Sequence, residues 1–96
     1  MAENKYQAYL IKKIKATFPG CVVLKNDPSY QQGMLDLIIL FGKYWASLEV
    51  KDSATAAVQP NQEYFVSNLD NMSFAAFIYP ENEAEVFSAL QQAFTS

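Results

Sequence analysis

Tyr6, Leu10, Ile14 and Phe18 recur at four-residue intervals, with Ile11 beside them. That row predicts an amphipathic helix over residues 3–17. Lys5, Lys12, Lys13 and Lys15 fall mostly off the row, and Pro19-Gly20 ends the helix. Residues 21–24, Cys-Val-Val-Leu, form a short apolar run that reads as a strand. A polar loop rich in turn formers follows over residues 26–33. Residues 34–41 predict a second strand, apolar throughout except at Asp36. Gly42-Lys43 is a two-residue turn, so residues 44–51 return as the third strand of a hairpin. After a polar stretch at 52–59, Pro60 suits the first turn of a helix. Tyr64, Phe65 and Leu69 are its expected buried stripe, and Asn71 its end. Residues 74–79 read as a fourth strand, stopped by Pro80. Asn82 and Glu85 have the spacing of a capping pair, and the last helix should bury Val86, Phe87, Leu90 and Phe94.

The element order is therefore α-β-β-β-α-β-α. The first three strands can form an antiparallel meander. The helix after Pro60 crosses over, so the fourth strand can lie parallel to its neighbour. This is one α/β domain with a mixed central sheet, without repeats, low-complexity tracts or linkers.

Composition narrows the chemistry. Of 96 residues 51% are apolar, enough for a core. A domain this small buries a limited fraction of its surface, so a homodimer is a fair expectation. No run approaches a membrane span, and charges interrupt the N-terminal apolar positions, unlike a signal peptide. The single cysteine, Cys21, excludes an internal disulfide framework. It sits beside Val22 and Val23 as a candidate core thiol, which fits a reducing, cytoplasmic setting. Without histidine, His-based triads and His-ligated zinc are excluded. All 7 lysines lie within residues 1–51 against four acids, Glu3, Asp27, Asp36 and Glu49. Residues 52–96 hold six acids and no base. One explanation is a solvated basic helix and an acidic helix; the other is a first half that faces a polyanion. The acidic balance argues against strong non-specific nucleic-acid binding but leaves room for a local basic face.

Asp36 is the lone charge in its strand, and Glu49-Val50-Lys51 closes the strand that follows it. Residues i and i+2 share a face, so Glu49 and Lys51 project together. The hairpin register places Asp36 opposite Glu49. Cross-strand carboxylates repel unless something neutralises them. A divalent cation bound by carboxylates does so, with Mg²⁺ the usual oxygen-loving ion. Lys51 beside it could orient or deprotonate a water and stabilise a crowded phosphate. The bland reading is a chance pair of strand-end charges, since E-x-K alone is common. An aspartate at matching register on the adjacent strand argues against chance.

These segments resemble the PD-(D/E)xK nuclease superfamily, nearest in type to small Holliday-junction-resolvase and VRR-NUC members. The resemblance rests on Gly33-Met34-Leu35-Asp36-Leu37-Ile38-Ile39-Leu40, on Ser47-Leu48-Glu49-Val50-Lys51, and on Gln59-Pro60-Asn61-Gln62. It covers residues 3–80. Leu35 stands where the family usually has proline, a residue that shapes the strand start and is not a ligand. The resemblance implies a restriction-endonuclease-like αβββαβ core with an extra C-terminal helix. It also implies Asp36, Glu49 and the Val50 carbonyl as ligands of Mg²⁺ or Mn²⁺, Lys51 as the catalytic lysine and Gln62 as a supporting residue. The family often adds an acid from the first helix. Glu3 is the only one there, with Gln7 as the alternative; Glu3 is equally explained as an acid favoured by the helix dipole.

Lys12, Lys13, Lys15 and Lys25 are candidate phosphate contacts, with a solvated helix face as the competing account for the helical three. Asp27 and Tyr30 could touch DNA, although loop formation accounts for them. Tyr44 and Trp45 read as core or dimer-interface residues. Glu81, Glu83 and Glu85 read as a solvated helix start facing away from DNA. The expected activity is a metal-dependent endonuclease on DNA, structure-selective toward branched substrates because the domain has no room for a sequence reader. A homodimer would supply two sites for two strands, and so compact a nuclease would suit a phage genome. The alternatives are a silent nuclease-fold module binding nucleic acid or protein, and a structural subunit.

Overall fold

Helix α1, Glu3–Thr17, stops where its sequence can no longer continue it. Pro19 follows, Gly20 takes a φ of 90°, and Cys21 N–H donates to the Phe18 carbonyl at 3.0 Å. That turn feeds β1, Val22–Lys25. The remaining elements in the computed structural model are β2, Leu37–Phe41; β3, Tyr44–Val50; α2, Pro60–Met72; β4, Phe74–Ile78; and α3, Glu83–Thr95, entered through one 3₁₀ turn at Pro80–Asn82. The structure describes residues 3–26 and 34–95.

The four strands lie in the order β1-β2-β3-β4, antiparallel for the first two pairings and parallel for β3 with β4. The order and the mixed sheet match expectation. In the β2–β3 hairpin Phe41 pairs with Tyr44. Gly42, at a φ of 60°, occupies the first central turn position, where a side chain would be strained.

Alternation along the strands sorts residues between two cores. Leu37, Ile39, Ala46, Leu48, Val50 and Ile78 are buried against α1 and α3, where they meet Leu10, Ile14, Val86, Leu90 and Phe94. The opposite face carries α2 and a smaller core of Leu35, Leu69 and Ala75, with Trp45, Phe65 and Val66 packed on it. Tyr44 packs in the first core and Trp45 in the second. Cys21 is only half-buried, and its burial raises the thiol pKa. Among the described residues no helix is long and apolar enough to cross a membrane.

Four local expectations need correction. The second strand begins at Leu37 rather than at 34, for a reason tied to Asp36 and given below. Tyr64 is 66% exposed. The inward row of α2 is Gln62, Phe65, Val66 and Leu69, which leaves Tyr64 on the outer side of the helix, its ring edge-on to Phe65. Asn82 does not cap forward toward Glu85. It reaches back, accepting from Tyr79 N–H at 2.9 Å and donating to the Phe77 carbonyl at 3.0 Å, so it fastens the exit of β4. Glu83 is not a solvated helix start either. Its carboxylate accepts from Tyr6 Oη at 2.8 Å and Tyr9 Oη at 3.3 Å and is ion-paired with Lys13, which ties α1 to α3. Burial pushes Glu83 up, but the bonds from Lys13 and Tyr6 outweigh it and its pKa is lowered.

Candidate active site

The end of β3 presents three consecutive residues in alternating directions. Val50 is fully buried in the larger core, while Glu49 and Lys51 turn to the face of α2. Both charged residues are themselves buried, at 8% and 9% exposure. Burial of charge is tolerable only when partners are supplied, and α2 supplies one. Gln62 Nε2 donates to Glu49 Oε2 at 2.7 Å, and Gln62 Oε1 accepts from Lys51 Nζ at 2.8 Å. The lysine nitrogen lies 4.0 Å from the same glutamate oxygen. Lysine can only donate and a carboxylate can only accept, so the orientation of the Gln62 amide follows from its neighbours.

Gln62 is held from behind as well. Gln59 N–H donates to its Oε1 at 3.0 Å, closing the capping arrangement that opens α2 ahead of Pro60. One amide therefore starts a helix and bridges the buried acid–base pair. The sequence pattern assigned Gln62 a supporting role by resemblance; the cap through Gln59 was not anticipated.

Asp36 meets this set from the neighbouring strand. Its Oδ2 accepts from Val50 N–H at 2.9 Å. The β2–β3 register ends at Leu37 with Leu48, and one further hydrogen-bonded pair would have given Val50 N–H to the Leu35 carbonyl. The aspartate carboxylate replaces that carbonyl. The ladder stops one pair short of the expected Asp36–Glu49 apposition, the chain bends, and Leu35 drops into the smaller core under α2. Asn26 N–H still donates to the Asp36 carbonyl at 2.9 Å, so β1 holds the bend in place.

Electrostatics couple the two acids. Glu49 is pushed up to about 7, first by burial and then by the negative charge of Asp36, with Lys51 opposing. Glu3, exposed at the start of α1, adds a smaller push in the same direction. Glu3 thus lies in the electrical field of the site, while Gln7, one turn along, is buried at 8% exposure.

The donors available to a cation are the Asp36 and Glu49 carboxylates and the Val50 carbonyl. In a strand a residue's C=O leaves along the same edge as its N–H, which for Val50 is the side of Asp36. Hard oxygen donors of this kind suit Mg²⁺ or Mn²⁺, with water completing the shell. The negative charge of Asp36 that helps raise Glu49 is also what a cation would neutralise. Among the described residues no three acids, cysteines or histidines are gathered closely enough to hold a metal by themselves.

The candidate phosphate-contacting lysines divide. Lys12, Lys15 and Lys25 are exposed. Lys13 is occupied by Glu83 and lies 4.7 Å from the Phe87 ring centre, so α1 offers fewer free ammonium groups than its sequence suggests. The partnership could have been suspected from Tyr6, Tyr9 and Lys13 sharing one side of the helix. Asp27 and Tyr30 lie outside the described residues. Comparison with protein-family models, with curated proteins and with solved structures finds no match to this chain.

Proposed function

We propose that this protein is a metal-dependent endonuclease of the PD-(D/E)xK kind, hydrolysing phosphodiester bonds in DNA, with branched or junction DNA as its substrate class. The observation that carries the reading is the meeting of Asp36, Glu49 and Lys51 at the junction of two adjacent strands, braced by Gln62. Asp36 and Glu49 supply carboxylate oxygens to Mg²⁺ or Mn²⁺, assisted by the Val50 carbonyl. When bound, such an ion lowers the pKa of a water and polarises a phosphoryl oxygen. Lys51 has three N–H bonds and gives one to Gln62, which leaves donors for a phosphate oxygen or the attacking water. Its ammonium stabilises the charge that grows on the phosphorus oxygens. Gln62 keeps the ammonium aimed, and α2 keeps Gln62 in place. Lys12, Lys15 and Lys25 are the candidate backbone contacts, and pairing two chains in a homodimer provides two sites.

The test is incubation with four-way junction, flap and linear duplex DNA in Mg²⁺ or Mn²⁺. Nicking is expected, with Asp36→Ala and Lys51→Ala each reducing it at least about a hundredfold. No nicking, or nicking indifferent to both substitutions, refutes the proposal.

A second reading, a nuclease-like module that binds without cleaving, is favoured by one feature. Asp36 and Glu49 already accept hydrogen bonds from Val50 N–H and Gln62, so the set is satisfied without an ion. Calorimetric titration with Mn²⁺ separates the two: heat of binding lost in Asp36→Ala supports the nuclease, and no heat supports the module.

A further inference from the structure

Lys51 has a second neighbourhood. Beyond the Gln62 bridge, the residue also lines a groove of about 480 Å³ that neither Asp36, Glu49 nor Gln62 lines. The groove lies outside the carboxyl ends of β3 and β4, the parallel pair, beneath the crossover that joins them through residues 52–59 and α2. Such crevices are where open sheets with parallel strands receive ligands. Its size falls in the range that accommodates a small molecule.

Three features of the lining describe the occupant. Phe77 and Tyr79 stand two residues apart at the end of β4, on one face of the strand, and both line the groove. Val58 and Val66 add apolar surface. A flat ring fits such walls, and aromatic side chains stack on any unpaired base. The lining includes one residue of each charge, Lys51 and Glu63, the latter in the first turn of α2. A phosphate is attracted to the first and repelled by the second. An amino group on the ring is a natural partner for Glu63, as carboxylates accept from the exocyclic amine of cytosine. Thymine has no such amine.

We propose that this groove is a subsite for one unpaired nucleobase bearing an exocyclic amine, with the adjoining phosphate turned toward Lys51. The inference rests on the nuclease reading for the phosphate that anchors the base, and it adds that the substrate strand has an unstacked nucleotide beside the cut. Branched and flap DNA expose such nucleotides; continuous duplex does not.

The test uses the whole protein, isotopically labelled, in EDTA, titrated with deoxycytidine monophosphate and thymidine monophosphate while backbone amide resonances are followed. Expected are shifts at Glu63, Phe77 and Tyr79, and binding of the cytosine nucleotide on the order of tenfold tighter than the thymine nucleotide. Tyr79→Ala should weaken both on the order of tenfold. Glu63→Ala, at an exposed helix position that folding tolerates, should erase the cytosine preference. Absence of shifts at these residues, or a preference that survives Glu63→Ala, overturns the subsite even if DNA is cleaved. Cytosine-dependent shifts in a protein that cleaves nothing would retain the subsite and remove the nuclease.

Discussion

Replacing Glu49 with glutamine should stabilise the metal-free protein at pH 8. The folded carboxyl is pushed up to about 7 from an ordinary value of 4.5. Between those two values the folded state holds a proton that the unfolded chain has released, so wild-type stability falls as pH rises through this window. Above about pH 7 the acid is ionised in both states and the full penalty of keeping a charge in that place remains. A separation of this size corresponds to about 3 kcal/mol, at 1.36 kcal/mol per pKa unit. Glutamine retains an oxygen for the Gln62 amide and carries no charge to repel Asp36, but it gives up the attraction of Lys51, so about 3 kcal/mol is the ceiling of the gain. Urea unfolding in EDTA from pH 4 to pH 9 measures it. The variant should exceed wild type at pH 8 by about 1–3 kcal/mol, and the difference should vanish toward pH 4. At this chain length each kcal/mol corresponds to a Tm shift of about 4–8 °C. Added Mn²⁺ should raise wild type and leave the variant nearly unmoved, since a bound ion stabilises only the state that holds it. An advantage that is constant with pH, or a variant less stable than wild type at pH 8, refutes the argument that the partners of Glu49 compensate its buried charge only in part.

Two further outcomes follow from the packing. Glu83→Gln should destabilise by about 1–3 kcal/mol at pH 7, because Tyr6, Tyr9 and Lys13 lose a charged acceptor. Glu83 is lowered in the folded state, so the contribution is present above pH 4.5 and fades as pH falls through the lowered value; acid unfolding curves of wild type and variant should converge there. Leu69→Ala, which empties part of the small core, should lower stability by about 2–4 kcal/mol, whereas Tyr64→Ser on the outer side of the same helix should change it by less than about 0.5 kcal/mol; denaturant midpoints check both, and equal effects would contradict the assigned helix face.

Much of the molecule was legible in the order of its residues. Apolar positions recurring with the helical period reveal the helices, because a buried face must repeat with the geometry of its element, and short apolar runs bounded by turn formers reveal the strands. The two-residue Gly42-Lys43 connection settles the hairpin register, and with it the approach of Asp36 to Glu49-Val50-Lys51. What sequence could not disclose is where local pairing yields to side chains from elsewhere. Asp36 ends its ladder by taking Val50 N–H, Gln62 joins Glu49 to Lys51 while capping α2, and Glu83 engages Lys13 in an ion pair. Tyr64 and Asn82 depart from expectation for a related reason, since an aromatic residue or a cap former has several local uses and only its packing partners choose among them. The groove beside Lys51 belongs wholly to the tertiary structure: residues 51, 63, 77 and 79 share no spacing, and only the parallel return of β4 brings them to one place.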